Sequence, residues 1–170
     1  MEFFKVHQDL VSNPLKDIRS EVFRQLNALQ LTVPAGDIAI TVGSRGISNI
    51  PQIVRACGEW LKEQGASPFI VPAMGSHNGA TAQGQQAMVE SLGITETTMQ
   101  MPIRSSMEVV QIGEVRTGLV FMDRYCHEAA GVLVVNRIKL HTCFSGPIQS
   151  GLTKMMVVGM GKIRSAQTFH

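Results

Sequence analysis

The sequence predicts an α/β fold of three layers, in which helices cover both faces of a Rossmann-like, mostly parallel sheet. Short apolar segments typical of buried strands alternate with longer segments whose apolar residues recur at helical spacing. A glycine follows each of the first two strand-like segments, as expected where a strand runs into a loop. The length of 170 residues favours one domain, over 1–170, that buries about 70% of its unfolded-state surface.

The helices are predicted from apolar spacing and from the residues at their ends. Residues 15–29 carry apolar side chains at intervals of three and four, and residues 51–64 do so between a proline and Gly65. Residues 81–92 form the third predicted helix, which ends at a glycine. Another helix is expected after Lys154.

Five strands are predicted from short apolar runs. The segments 38–42 and 68–74 are buried strands that alternate with the helices, which favours parallel pairing. The segments 109–113 and 119–123 lie close enough in the chain to pair with each other. The segment 131–138, GVLVVNRI, is the strongest strand prediction in the chain.

Composition and charge exclude several classes of protein. A net charge of +2 without a lysine or arginine cluster gives no basis for nucleic-acid binding. No apolar run approaches the roughly 20 residues of a membrane-spanning helix, and the N-terminus is not a secretory leader. Cys57, Cys126 and Cys143 form no CxxC pair, which is typical of reduced thiols. We therefore expect a cytoplasmic protein.

Three polar loops follow predicted strands, at 43–49, 75–81 and 136–146. Because ligands gather at the carboxyl ends of parallel strands, these loops should line one crevice. None of the glycine-containing loops has the dinucleotide or Walker pattern, so a phosphate site in them remains only one interpretation.

Three side chains in these loops could carry chemistry. His77 and His141 each follow a strand and could act as acid/base groups. Alternatively, His77 could ligate a metal, cap the next helix or bond a turn carbonyl, and His141 could lie at a solvated strand end. Arg45 could hold a carboxylate or pair with a surface acid. Lys154 lies in the apolar, glycine-framed stretch SGLTKMMVVGMGK, where its ammonium must find a partner, lose its proton or react.

Four segments, GSHNGATAQGQ, PIRSSMEVVQIG, NRIKLHTCFSGPIQSGLTKM and GMGK, carry a resemblance over essentially the whole chain. With them the chain resembles the N-terminal domain of the nickel-dependent lactate racemase family. Family members continue into a second domain, so the resemblance implies a fragment that is inactive alone. It also implies an isomerase that racemises or epimerises small 2-hydroxy acids, with a homo-oligomer left open.

The resemblance implies a cofactor and a set of residues that use it. The family enzymes carry a nickel pincer nucleotide (pyridinium-3-thioamide-5-thiocarboxylic acid mononucleotide), which maturation enzymes make and without which apo protein is expected. By position, Lys154 matches the lysine that forms the thioamide, and His170, sixteen residues later, matches the nickel ligand. His77 and His141 match the acid/base pair around the substrate, and Arg45 matches the carboxylate-binding arginine.

Two departures from the family pattern leave the 2-hydroxy acid open. The lactate enzyme has an aspartate where this chain has Val42, and its link between the second histidine and the lysine is shorter than the interval from His141 to Lys154. The alternative hypothesis is a non-catalytic domain that binds a nucleotide or phosphate. A zinc hydrolase is a weaker alternative because the histidines lack HxxH or HExxH spacing.

Overall fold

The computed structural model describes residues 3–9, 13–139, 146 and 149–169. Along the chain, α1 is Ile18–Ala28, β1 is Gly36–Val42, α2 is Ile50–Glu63, β2 is Ala66–Pro72, α3 is Ala82–Ser91, α4 is Glu96–Met99, β3 is Val109–Val115, β4 is Gly118–Asp123, α5 is Arg124–Glu128, β5 is Gly131–Val134, α6 is Leu152–Lys154 and α7 is Lys162–Phe169. A 3₁₀ turn, Asn78–Ala80, precedes α3, and a π-helical turn, Met155–Gly159, follows α6.

The main sheet has three parallel strands in the order β2-β1-β5. A single parallel bridge between Ile70 and Ile103 extends it beyond β2. The strands β3 and β4 form a separate antiparallel pair, as their sequence spacing predicted. The mixed α/β architecture with a mostly parallel sheet is therefore confirmed.

Both faces of the main sheet are buried, because successive side chains of a strand point to opposite faces. Ile38 and Ile40 of β1 belong to a core cluster that includes Trp60 of α2. Phe69 and Val71 of β2 belong to a second cluster, with Cys126 of α5, Met155 and Met160. Helical segments thus cover each face, which is the three-layer arrangement that the sequence predicted.

The helix and strand boundaries differ from the predictions where side chains end an element. The helix α1 begins three residues later than predicted, because the carboxylate of Asp17 accepts a hydrogen bond from the Ser20 backbone N–H at 3.0 Å and caps it. The prediction of a strand over 131–138 is wrong beyond Val134. There the N–H of Val135 donates to the Thr41 hydroxyl at 3.3 Å, so a side-chain oxygen takes the place of the backbone hydrogen bond that would continue the pairing of β5 with β1.

Two further observations concern the class of protein. Cys57 and Cys126 are free and buried, as expected for reduced thiols, whereas Cys143 lies outside the described residues. Of the helices that the structure describes, none is long and apolar enough to cross a membrane.

Candidate functional site

A crevice of about 410 Å³ opens at the carboxyl ends of the parallel strands. Its walls include residues 43–47 after β1, residues from 73–77 after β2 and residues from 136–139 after β5. The C-terminal helical segment, 150–159, closes the remaining side. Its volume is within the range of small-molecule sites, about 300–1,000 Å³. The prediction that the three loops share one crevice is confirmed for their described parts.

Three of the five predicted site residues line this crevice. Arg45 and His77 present exposed side chains to it, and Lys154 is half-buried in its wall. His141 and His170 lie outside the described residues, so their roles stay predictions. The structure thus places together a guanidinium, an imidazole and an amine that are separated by up to 109 positions in the chain.

The imidazole of His77 is held by a neighbour that the sequence analysis did not select. Ser44 Oγ lies 2.5 Å from His77 Nδ1, so the loop after β1 contacts the loop after β2 through this hydrogen bond. A hydrogen bond at Nδ1 fixes the plane of the imidazole ring at the edge of the crevice. The only sequence signal for Ser44 was its place beside Arg45 at the end of a strand.

The alternative role of His77 as a cap for the next helix is wrong. The N-cap of α3 is Thr81, whose hydroxyl accepts a hydrogen bond from the Gly84 N–H at 3.0 Å. His77 precedes the 3₁₀ turn and makes no side-chain capping hydrogen bond there. Its imidazole is therefore turned to Ser44 and the crevice.

Lys154 is positioned by a turn at Gly151. Gly151 has φ 72° and ψ −135°, a conformation that residues with a Cβ rarely adopt. Its carbonyl accepts a 2.8 Å hydrogen bond from Asn136 Nδ2, and Asn136 Oδ1 accepts one from the Arg137 N–H at 2.8 Å. Asn136, which the sequence analysis also missed, thus ties the loop after β5 to the turn that carries Lys154.

Small residues allow the Lys154 segment to pack against the strand ends. A Cβ on Gly159 would stand 2.7 Å from the Ala73 carbonyl oxygen, and one on Gly43 would stand 3.1 Å from Met155 Cε. The π-helical turn after Lys154 closes with a hydrogen bond from the Met160 N–H to the Met155 carbonyl at 2.9 Å. Such turns are frequent at functional sites.

The charge of the crevice is positive. Arg45, Arg137, Lys139 and Lys154 line it, and no carboxylate does so in the part of the chain that the structure describes. Closely spaced cations favour an anionic ligand, since each would otherwise repel the others. Phosphate and carboxylate groups are anions that suit this lining.

The described residues contain neither a cluster of metal ligands nor a reactive thiol. Among residues 3–9, 13–139, 146 and 149–169, no three His, Cys, Asp or Glu side chains come together to hold a metal ion. Burial raises the pKa of the Cys57 thiol to about 11 and that of Cys126 to about 12. These two thiols stay protonated near neutral pH and supply no nucleophile.

Comparison with known proteins adds no relative to this description. The chain matches no protein-family model, no curated protein and no solved structure.

Proposed function

We propose that this domain binds a nickel pincer nucleotide through Lys154 and takes part in the racemisation or epimerisation of a small 2-hydroxy acid. One observation carries the proposal: Arg45, His77 and Lys154, which are distant in sequence, line the same crevice. These are three of the residues that the resemblance assigns to carboxylate binding, proton transfer and cofactor attachment. The positive lining of the crevice supports an anionic cofactor and an anionic substrate.

Each of the three side chains has a chemical role in this proposal. The planar guanidinium of Arg45 donates two parallel hydrogen bonds to the substrate carboxylate and so orients its C2 carbon. His77 accepts the proton of the C2 hydroxyl when one enantiomer reacts and donates one when the other enantiomer reacts, while Ser44 contacts its Nδ1. When bound, the nucleotide supplies the acceptor for the C2 hydride.

Lys154 would hold the cofactor by its amine, which would form a thioamide with a thiocarboxylic acid group of the nucleotide, with loss of water. The half-buried position of Lys154 keeps the bond in the wall of the crevice, next to the loops of Arg45 and His77. Arg137 and Lys139 add positive charge for the phosphate of the nucleotide. The resemblance assigns the second acid/base role to His141 and the nickel ligand to His170.

The test is interconversion of enantiomers by a full-length version that carries the second domain, co-expressed with the cofactor-maturation enzymes, because the present domain is expected to be inactive alone. Single enantiomers of several 2-hydroxy acids are incubated with it, and chiral chromatography measures the opposite enantiomer. We expect conversion from both directions, lost in His77→Ala and Lys154→Ala but kept in the control His127→Ala, which changes an exposed histidine of α5 away from the crevice. Cofactor-loaded full-length protein that converts no 2-hydroxy acid would refute the catalytic role.

The charge of the crevice also favours the second candidate, a non-catalytic domain that binds a nucleotide or phosphate. Four cationic side chains line the crevice, and in the described part of the chain no carboxylate lies among them. Isothermal titration with inorganic phosphate and with a pyridinium mononucleotide separates the two functions. Reversible binding to unmodified protein, without a covalent product at Lys154 after co-expression with the maturation enzymes, would favour this candidate.

A further inference from the structure

Three fully buried polar side chains form a connected cluster behind the wall of the crevice. Gln85 of α3, Asp123 of β4 and Lys162 of α7 each have 0% exposed area, and we call them the buried cluster. Lys162 Nζ lies 3.2 Å from Asp123 Oδ2 and donates to Gln85 Oε1 at 3.2 Å. It also donates a hydrogen bond to the carbonyl oxygen of Pro72, the last residue of β2.

The buried cluster extends to the segment that carries His77. Gln85 Nε2 donates to the Gly75 carbonyl at 2.8 Å and lies 3.4 Å from the His77 carbonyl. Lys162 therefore holds the first residue of segment 72–77, and Gln85 holds its middle and its end. No other part of the described chain is needed to link Asp123 to the backbone of His77.

The buried cluster is costly, which argues against a role in stability alone. Lys162 has φ 53°, a left-handed conformation that is uncommon for residues other than glycine. Burial lowers the pKa of its ammonium, and the Asp123 carboxylate opposes that effect. A buried ion pair is often no more stable than apolar side chains of the same volume. Strain and buried charge of this kind cluster near functional sites.

We propose that the buried cluster positions His77, with Lys162 and Gln85 as its positioning residues. By fixing the carbonyls of Pro72, Gly75 and His77, they keep the imidazole within hydrogen-bond distance of Ser44 and facing the crevice. The inference rests on the proposed function only where it gives His77 an acid/base role. The holding of the segment itself does not depend on any reaction.

Two variants remove the contacts of the buried cluster while leaving the protein able to fold. Gln85→Met removes the amide that reaches Gly75 and His77. Its control is Gln86→Met, because Gln86 is the next residue of α3 and its Nε2 donates to Glu90 Oε1 at 2.9 Å rather than to the buried cluster. Asp123→Asn combined with Lys162→Met removes both charges together. In the wild type, Asp123 Oδ1 accepts a hydrogen bond from the Cys126 N–H at 3.1 Å and caps α5. Asparagine keeps an oxygen at that position, so the cap remains.

The readout is the imidazole of His77 in ¹⁵N-labelled protein, assigned by comparison with His77→Gln. We expect Gln85→Met and the double variant to change the ring ¹⁵N shifts of His77, and Gln86→Met to leave them unchanged. A merely structural role would lower the melting temperature and leave these signals alone. In a cofactor-loaded full-length version with the second domain, we expect a loss of about 10²-fold in kcat with little change in KM, as for misplaced catalytic groups.

The outcomes separate this inference from the proposed function. Unchanged His77 signals in folded Gln85→Met would overturn the positioning role, even if the protein is an active racemase. Changed signals in a protein that never interconverts enantiomers would support positioning and overturn the catalytic function. If the double variant does not fold, Gln85→Met decides alone.

Discussion

Replacing Lys162 by methionine should destabilise the domain strongly, because it leaves the Asp123 carboxylate buried without a counter-charge. Both side chains have 0% exposed area, and the nitrogen and oxygen are 3.2 Å apart. Removing one partner of such a pair typically costs about 3–5 kcal/mol of unfolding free energy. A chain of this size loses roughly 2–4 °C of Tm per kcal/mol, so Tm should fall by about 6–20 °C.

The assay is urea unfolding followed by circular dichroism, supported by calorimetry, on matched variants. Lys62→Met is the control: Lys62 donates to the Gln100 carbonyl from an exposed position, and its replacement should change the free energy by no more than about 0.5 kcal/mol. Adding Asp123→Asn to Lys162→Met should recover stability, since no lone charge then stays buried. A loss below about 1 kcal/mol, or a double variant less stable than Lys162→Met, would refute the reasoning.

Lys162 also makes the unfolding free energy of the domain depend on pH. Burial lowers the pKa of Lys162 below its ordinary 10.5, so between that lowered pKa and 10.5 the unfolded chain binds more protons at this site than the folded chain. The contribution of Lys162 to the unfolding free energy of the domain therefore rises as the pH rises through that window. The difference between wild type and Lys162→Met should widen accordingly, and a difference that narrows would contradict the lowered pKa.

Two further predictions concern the crevice. Ser44→Ala should keep the unfolding free energy within about 0.5 kcal/mol yet shift the tautomer balance of His77, seen in its ring ¹⁵N signals; unchanged signals would mean that the 2.5 Å hydrogen bond does not orient the ring. Gly151→Ala should cost about 1–3 kcal/mol, because φ 72° with ψ −135° strains a residue with a Cβ, whereas Gly46→Ala has open space and should cost less. Equal melting temperatures for the two glycine variants would contradict that account.

The fold was predictable because its strands are strongly patterned. Both faces of the parallel strands are buried, so residues 38–42 read as a continuous apolar run bounded by a glycine. The end of β5 was not predictable, because the sequence 135–138 is still apolar enough for a strand. What ends β5 is the Thr41 hydroxyl, a contact with a residue 94 positions away.

The loops of the site were predictable from topology, but the contacts between them were not. Arg45 and His77 follow strands whose carboxyl ends meet, which placed them together without any coordinates. Ser44 and Asn136 act through partners in other loops, and a single sequence contains no signal for such pairs.

The stretch SGLTKMMVVGMGK contains two lysines, and the structure places them in different environments. Lys154, whose ammonium was predicted to need a partner or a reaction, is half-buried in the wall of the crevice. The fully buried lysine is Lys162, at the end of the stretch, and its ammonium finds a carboxylate and two oxygen acceptors. Sequence alone could not distinguish them, because both follow glycines and apolar residues at similar spacing.

The covalent state of Lys154 tests the central proposal most directly. The full chain is co-expressed with the cofactor-maturation enzymes, and its intact mass, peptide map and nickel content are measured, with Lys154→Arg and Lys62→Arg as matched variants. The proposal predicts a nucleotide adduct on Lys154 with stoichiometric nickel, lost in Lys154→Arg and kept in Lys62→Arg. Unmodified, nickel-free protein, under conditions that load a known nickel-dependent racemase, would contradict the proposal.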